Sequence, residues 1–255
     1  MSPKNCPHCG IVKKHFIKWG KTPQKRIRYR CSDCHKTFTN RTGTIRHRSH
    51  LNDRDWQTVS KMLALRTCPS GADIGRLFGK NRKTGQSILR SLRQFIPPSQ
   101  IGLPLSGVVE VDESTMQKQW IVGLKSRKTK KIKLFPVLNR DMKTLENIID
   151  ISCTHNATIL SDEWKGYALL KYKRPHYTIC HSKEFVSKLF PEIHTQSIEG
   201  VWGSLKPRAK HTHRGYHNLK SFLNISCFLH NFSHYERERF FLAHAFPHFT
   251  NIRLV

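Results

Sequence analysis

Three acids stand out in a chain otherwise crowded with cations. Asp112 closes the run VVEVD, Asp162 closes ATILSD, and Glu199 is the lone acid of HTQSIEGVWGSLKPRAKHTHRG, residues 194–215. Each Asp ends an apolar stretch of the kind that forms a buried strand, where an unpaired charge is costly. Two readings account for such acids: a salt bridge or cap, or a divalent cation. Carboxylates are hard oxygen donors that suit Mg2+ or Mn2+. Two such ions roughly 3.5–4 Å apart stabilise both the attacking and the leaving oxygen of an in-line phosphoryl displacement. The separations are 50 residues (162 − 112) and 37 residues (199 − 162), so the fold must bring the three together.

A second constellation lies at the front. Cys6 and Cys9 form CPHC, and Cys31 and Cys34 form CSDC, with 21 residues between the pairs. Each CxxC knuckle offers two thiolates, and two knuckles complete a tetrahedral structural zinc site. A redox CxxC is the competing reading, but no βαβ pattern surrounds either copy. His8 and His35 could substitute as ligands and are read as knuckle residues. Cys68, Cys153, Cys180 and Cys227 are scattered and are read as core or as chance.

The elements that must carry these residues follow from periodicity. IRYRC reads as a short strand in the ribbon. In LNDRDWQTVSKMLALRTC, Asn52 or Asp53 offers an N-cap, and Trp56, Val59, Met62 and Leu63 recur at helical spacing. A short helix with Ile74, Leu77 and Phe78 inward follows, then a turn at Gly79, then a helix from Asn81 to Ile96. Ile88, Leu89, Leu92 and Ile96 face its core side, leaving Arg82, Lys83, Thr84, Gln86, Arg90 and Arg93 outside. That layout matches a helix-turn-helix, whose second helix enters the DNA major groove; a plain three-helix bundle gives the same periodicity. Pro97 and Pro98 open a linker.

Beyond the linker, alternation along GVVEVDEST puts Glu110 and Asp112 on one face of a strand and Glu113 on the other. QWIVGLKSRKTKKIKLFPVLN predicts two further strands around a turn, with six Lys or Arg from Lys125 to Lys133. MKTLENIIDIS predicts an amphipathic helix, and ATILSD a strand followed by another helix. On a helix, Glu199, Trp202 and Lys206 share one face. Trp202 reads as core or as a wedge that stacks on DNA. His181 is placed near the metals, or as a satisfied hydrogen-bonding His.

The charge points to the partner. Lys+Arg minus Asp+Glu is 45 − 17 = +28 over 255 residues, and residues 1–50 hold thirteen Lys or Arg against one acid, Asp33. A field of that sign attracts polyanions, and nucleic acid is the default. No apolar run reaches the roughly 18 residues of a membrane span, and MSPKNCPHCG lacks the apolar core of a signal peptide. The expectation is a cytoplasmic protein with no membrane partner.

At VVEVDEST, LSDEWKGY, HYTICHSKEFV and IHTQSIEGVWGSLK the sequence resembles the DDE transposases of bacterial insertion sequences. The similarity is to the ISXO-type group with an N-terminal zinc ribbon, and CPHCG, RIRYRCSDCHKTFTNRTGT and the paired helices extend it over nearly the whole chain. HTQSIEG departs from the group's pattern, in which Asn stands where Gln196 stands here; Glu199 is in place. The resemblance implies an α/β fold: an RNase H-like core with a mixed sheet flanked by helices, preceded by a small zinc ribbon and a helix-turn-helix. The boundaries are 1–50 for the ribbon, 51–98 for the helix-turn-helix and 99–255 for the catalytic domain. By motif match Asp112, Asp162 and Glu199 are catalytic and hold two Mg2+ or Mn2+ ions, while Cys6, Cys9, Cys31 and Cys34 hold one Zn2+.

The expected activity is binding of an element's terminal inverted repeats, then metal-dependent cleavage and strand transfer by a homodimer or higher oligomer on double-stranded DNA. Arg82, Lys83, Gln86, Lys206, Arg208 and Arg214 are the expected DNA contacts. Two other readings compete. One is a zinc-ribbon/helix-turn-helix DNA-binding regulator with an inactive catalytic fold. The other is an RNase H-like nuclease or resolvase without strand transfer.

Overall fold

The structure is a computed structural model that describes residues 5–12, 16–49, 51–64, 70–99, 102–179, 194–210 and 216–246. The chain forms two compact units. One combines residues 1–95 with 234–255, and the other is 96–233. None of the helices among the described residues is long and apolar enough to cross a membrane.

In the first unit, strands β1 (Phe16–Lys21), β2 (Ile27–Cys31) and β3 (Thr37–Phe38) form a small antiparallel sheet in that order. Its core is tiny: Cys6, Tyr29, Cys31 and Phe38, with Ile11, Phe16 and Cys34 packed against them. So little apolar surface cannot hold a fold by itself, and a cross-link is needed. Helix α1 (Asp53–Ala64) follows. Asn52 is its cap: Oδ1 takes the N–H of Asp55 at 2.8 Å, and Asp55 returns the bond to the N–H of Asn52 at 3.0 Å. Asp53 instead pairs with Arg41 and Arg46 at 2.6 and 2.7 Å. Trp56 and Val59 are fully buried, as the periodicity requires. Met62 is half-buried, and the Leu63 side chain lies outside the described residues.

Helices α2 (Gly71–Leu77) and α3 (Arg82–Arg93) pack backbone against backbone. A Cβ on Gly85 would stand 1.9 Å from the carbonyl oxygen of Gly71, so only glycine fits that crossing. Between them the chain reverses at Gly79, whose φ of +58° is in the left-handed region. Ser70 and Asp73 form a capping box on α2, and Asn81 caps α3. Ile88, Leu89, Leu92 and Ile96 are buried as expected, but Leu77 is 48% exposed. Helix α3 also ends at Arg93 rather than Ile96, in keeping with the constraint that Pro97 places on the residue before it. The last helix of the unit, α7 (His234–Ala245), comes from the far end of the chain and packs on α1.

The second unit is built on a five-stranded mixed sheet. Strands β4 (Val108–Met116), β5 (Gln119–Ser126) and β6 (Ile132–Val137) are antiparallel neighbours; β7 (Thr158–Asp162) and β8 (His176–Ile179) run parallel to β4. The order across the sheet is β6-β5-β4-β7-β8. Helix α4 (Met142–Ser152) makes the crossover from β6 to β7 and covers one face, with Val109, Val111, Val122 and Ile159 in that layer. Helices α5 (Gln196–Ala209) and α6 (Tyr216–Asn231) cover the other, against Met116, Ile121, Ile132 and Leu134. An antiparallel trio, a crossover helix and two further parallel strands, with helices on both faces, make the RNase H-like core.

Two features of this second unit differ from the sequence expectation. No α-helix follows β7; two single 3-10 turns, Lys165–Tyr167 and Leu170–Tyr172, occupy the stretch. Gly166 lies against Leu145 and the Trp164 ring, with no room for a Cβ, and Pro175 cuts the segment short. The fifth strand, β8, was not expected from its sequence HYTI, which is short and largely exposed.

Candidate active site

Strand β4 delivers two acids to the face covered by α5. Glu110 is fully buried, and Asp112, two residues on, is half-buried. Asp162 ends the parallel neighbour β7, and Glu199 lies in the first turn of α5. The structure therefore brings Asp112, Asp162 and Glu199 into one neighbourhood. Burial pushes the Asp112 carboxyl above its ordinary range; the N–H groups of Trp202 and Glu113 oppose this, and the charges of Asp162 and Glu199 add to it. Asp112 thus feels both of the other acids. Mutually repelling carboxylates in a half-buried site fit a divalent cation, whose charge would relieve the repulsion. Among the described residues, the cysteines are the one group already drawn together in the manner of a metal site.

Each acid is held. Asp112 accepts the indole N–H of Trp202 at 2.8 Å through Oδ2 and the backbone N–H of Glu113 at 2.8 Å through Oδ1. Asp162 Oδ1 accepts the backbone N–H of Trp164 at 3.1 Å. Thr195 donates its hydroxyl to Glu199 Oε1 at 2.9 Å. Trp202 is only 4% exposed and packs over Gly123, so its role here is inward and not that of a DNA-stacking wedge.

A fourth carboxylate stands close by on the opposite face. Burial raises the Glu113 carboxyl; its bond from Tyr167 lowers it, the charges of Asp162 and Asp112 raise it, and Arg140 lowers it. Tyr167 donates its hydroxyl to Glu113 Oε1, and Arg140 lies 3.5 Å from Oε2. The Arg140 guanidinium is itself stacked between the rings of Trp120 and Trp164, 4.2 and 4.0 Å from their centroids. Glu113 is thus already committed to protein partners.

The sequence reading missed the Trp202–Asp112 bond, the Gly123 cradle and the Glu113–Tyr167–Arg140 group. One signal was present: a Gly inside the apolar strand QWIVGLKS marks a close approach. The others join residues far apart in sequence and leave no local pattern.

The four cysteines close as a separate group. Cys6 Sγ lies 3.7 Å from Cys34 Sγ, and Cys9 Sγ lies 3.7 Å from Cys31 Sγ. Four thiolates about 2.3 Å from one zinc ion stand about 3.8 Å apart at tetrahedral angles. The donor set and its spacing therefore fit zinc. His8 is not in the group; its ring lies 3.4 Å from the carbonyl oxygen of Thr37.

Among the expected DNA contacts, Arg82 and Lys83 are exposed at the start of α3, and Lys206 and Arg208 are exposed on α5. Gln86 is half-buried, its stem against Gly71 of α2. Arg214 and His181 lie outside the described residues. Cys153 and Cys227 are buried in the core, and Cys68 and Cys180 lie outside the described residues.

The mixed sheet, with helices on both faces, gathers Asp112, Asp162 and Glu199 from two strands and a helix. Residues 110–220 match the ISXO2-like transposase domain, a stretch that includes all three acids. Among solved structures it is similar to the catalytic core domain of BIV integrase, at 13% sequence identity and a TM-score of 0.36, over 47% of this chain and 81% of that one. No curated protein matches it.

Proposed function

We propose that the chain is an active transposase that binds the terminal inverted repeats of its element and performs strand cleavage and strand transfer. The observation that carries this reading is the convergence of Asp112, Asp162 and Glu199, close enough for the charges of Asp162 and Glu199 to act on Asp112. The three carboxylates would hold Mg2+ or Mn2+. Bound there, the ions would supply Lewis acidity at the scissile phosphate and a more acidic attacking hydroxyl.

The protein's own groups do the rest. Trp202 orients one Asp112 oxygen by its N–H, leaving the carboxylate's remaining lone pairs for a metal. Thr195 does the same for Glu199. Lys206 and Arg208, exposed on the helix that carries Glu199, would hold the DNA phosphates. Water cuts the strand at the element end, and the freed 3′-hydroxyl then attacks target DNA. In the first unit the cysteine group would hold one structural zinc ion, and α2–α3 would act as the helix-turn-helix, with Arg82, Lys83 and Gln86 facing the element end. The functional division proposed is ribbon 1–50, helix-turn-helix 51–98 and catalytic domain from 99, assembled on DNA as a dimer or larger oligomer.

The test uses a labelled duplex carrying one end of the element, with and without Mg2+. Nicking at the end that requires the metal, followed by joining of the 3′-hydroxyl to a second duplex, is the expected result. Binding without nicking would leave a DNA-binding regulator, and nicking without joining would leave a nuclease.

A further inference from the structure

Two residues before Asp112, on the same face of β4, stands a carboxylate to which the proposed chemistry assigns no part. Glu110 is fully buried. Its Oε1 accepts the Nε–H of Arg127 at 2.6 Å, and its Oε2 accepts the backbone N–H of Ile198 at 3.0 Å. The ring Nδ1 of His194 lies 3.8 Å from Oε1. Arg127 turns a second nitrogen, Nη2, to the carbonyl oxygen of His194 at 2.7 Å. Lys125, paired with Glu110 across the β4–β5 ladder, donates from Nζ to the carbonyl oxygen of Ser197 at 2.9 Å. Three charged side chains from β4 and β5 and its following turn therefore grip the start of α5 at residues 194, 197 and 198.

An apolar trio of the same volume would pack this interface as well, because a buried ion pair seldom adds net stability over a hydrophobic one. What directed bonds supply is register. The N–H that Glu110 accepts lies in the first turn of α5 and is shared with the carbonyl oxygen of Thr195 at 3.2 Å, so the shorter bond to Glu110 helps set where α5 begins along β4. Glu199 is the next residue after Ile198, and Asp112 is two residues on from Glu110. Glu110···Ile198 and Asp112···Trp202 thus tie strand to helix on either side of Glu199.

We propose that Glu110, with Arg127, is a positioning residue that sets Glu199 against Asp112 so that the two carboxylates share a divalent cation. The proposal rests on the reading of those acids as metal ligands. Glu110→Gln keeps the shape and an acceptor for Ile198 but removes the charge that Arg127 needs. Arg127→Lys keeps the charge but loses the fork that reaches both Glu110 and His194.

The experiment follows Mn2+ binding to the full zinc-loaded chain by electron paramagnetic resonance, with gel shift, melting temperature and nicking measured alongside. Both variants should bind DNA as the wild type does. Mn2+ affinity should fall by about tenfold or more, the range seen when a group that orients a metal ligand is lost. Excess Mn2+ should restore nicking. Placed in the Glu199→Gln background, Glu110→Gln should weaken Mn2+ binding no further, because it acts through Glu199. A lower melting temperature with wild-type Mn2+ affinity in the folded variants would overturn the proposal, and if Glu110→Gln does not fold, Arg127→Lys decides alone. Wild-type Mn2+ affinity and nicking in Glu199→Gln itself would overturn the metal-site reading and the positioning role with it. A defect in Glu199→Gln beside normal Glu110→Gln and Arg127→Lys would remove the positioning role alone.

Discussion

The indole of Trp202 donates its N–H to Oδ2 of Asp112 at 2.8 Å, joining the helix that carries Glu199 to the strand that carries Asp112. The ring reaches that bond by lying over Gly123, the residue paired with Asp112 across the β4–β5 ladder. Strand glycine, buried indole and half-buried carboxylate form one unit.

Gly123→Ala tests that unit. A Cβ there would stand 2.5 Å from Cζ2 and Cη2 of Trp202, closer than packed carbons tolerate. The ring must shift, and overpacking of this kind costs about 1–3 kcal/mol. The shift also releases Asp112. Chemical denaturation should show the lower stability, and nicking should fall while gel-shift affinity for DNA stays unchanged. Wild-type nicking in a destabilised protein would show that the indole bond does not orient Asp112.

His176 gives a dependence on pH. Burial holds its imidazole below the ordinary value of 6.5, and it lies 2.9 Å from the Ser161 hydroxyl between β7 and β8. The unfolded chain therefore binds a proton that the folded chain refuses, so stability falls as pH drops from 6.5 toward the lower folded value. His176→Asn should remove that part of the acid slope. Melting temperatures measured from pH 8 to pH 5 check this, and an unchanged slope in the variant would assign the loss to other groups.

The cysteine group predicts dependence on metal. Cys31→Ser or Cys34→Ser should release zinc and loosen the small sheet, whose core of Cys6, Tyr29, Cys31 and Phe38 is too small to hold alone. Metal analysis should find about one zinc per wild-type chain and a clear loss in either variant. A wild-type protein without zinc would contradict the assignment.

Arg82 and Lys83, both exposed at the start of α3, should contribute to DNA affinity through phosphates. Replacing either with Ala should reduce the slope of log affinity against log salt by roughly 0.9 for each phosphate no longer neutralised. Titrations of an element-end duplex at several salt concentrations measure it. An unchanged slope would place the DNA-binding cations elsewhere.

Much of the core was legible because its signals are local. Two-residue alternation along VVEVD separates Glu110 and Asp112 from Glu113, and the sheet keeps that division. The apolar run before Asp162 forms the strand expected of it. What failed was either too short or too distant in sequence. HYTI has four residues and little apolar character, so β8 exists through its pairing with β7 rather than through its own pattern. After Asp162 two single 3-10 turns replace the expected helix, in a stretch where Gly166 is a poor helix former and Pro175 closes the segment. The bond between Glu110 and Arg127 spans 17 residues, and that between Asp112 and Trp202 spans 90. No periodicity marks such pairs.

Glu199 is proposed to work with Asp112 and Asp162 as one metal-binding unit, and Glu199→Gln tests this. The substitution keeps size and removes a charge, so DNA affinity should stay equal or rise slightly in a basic groove. Cleavage should fall by orders of magnitude, because the transition state needs the metals in place. Asp112→Asn and Asp162→Asn should behave alike, with double variants no worse than single ones, since the acids act together. One labelled element end, read by gel shift for binding and by denaturing gel for nicking, separates the outcomes. Full binding with nicking lost is the expected result; nicking at the wild-type rate by Glu199→Gln would remove Glu199 from the metal site.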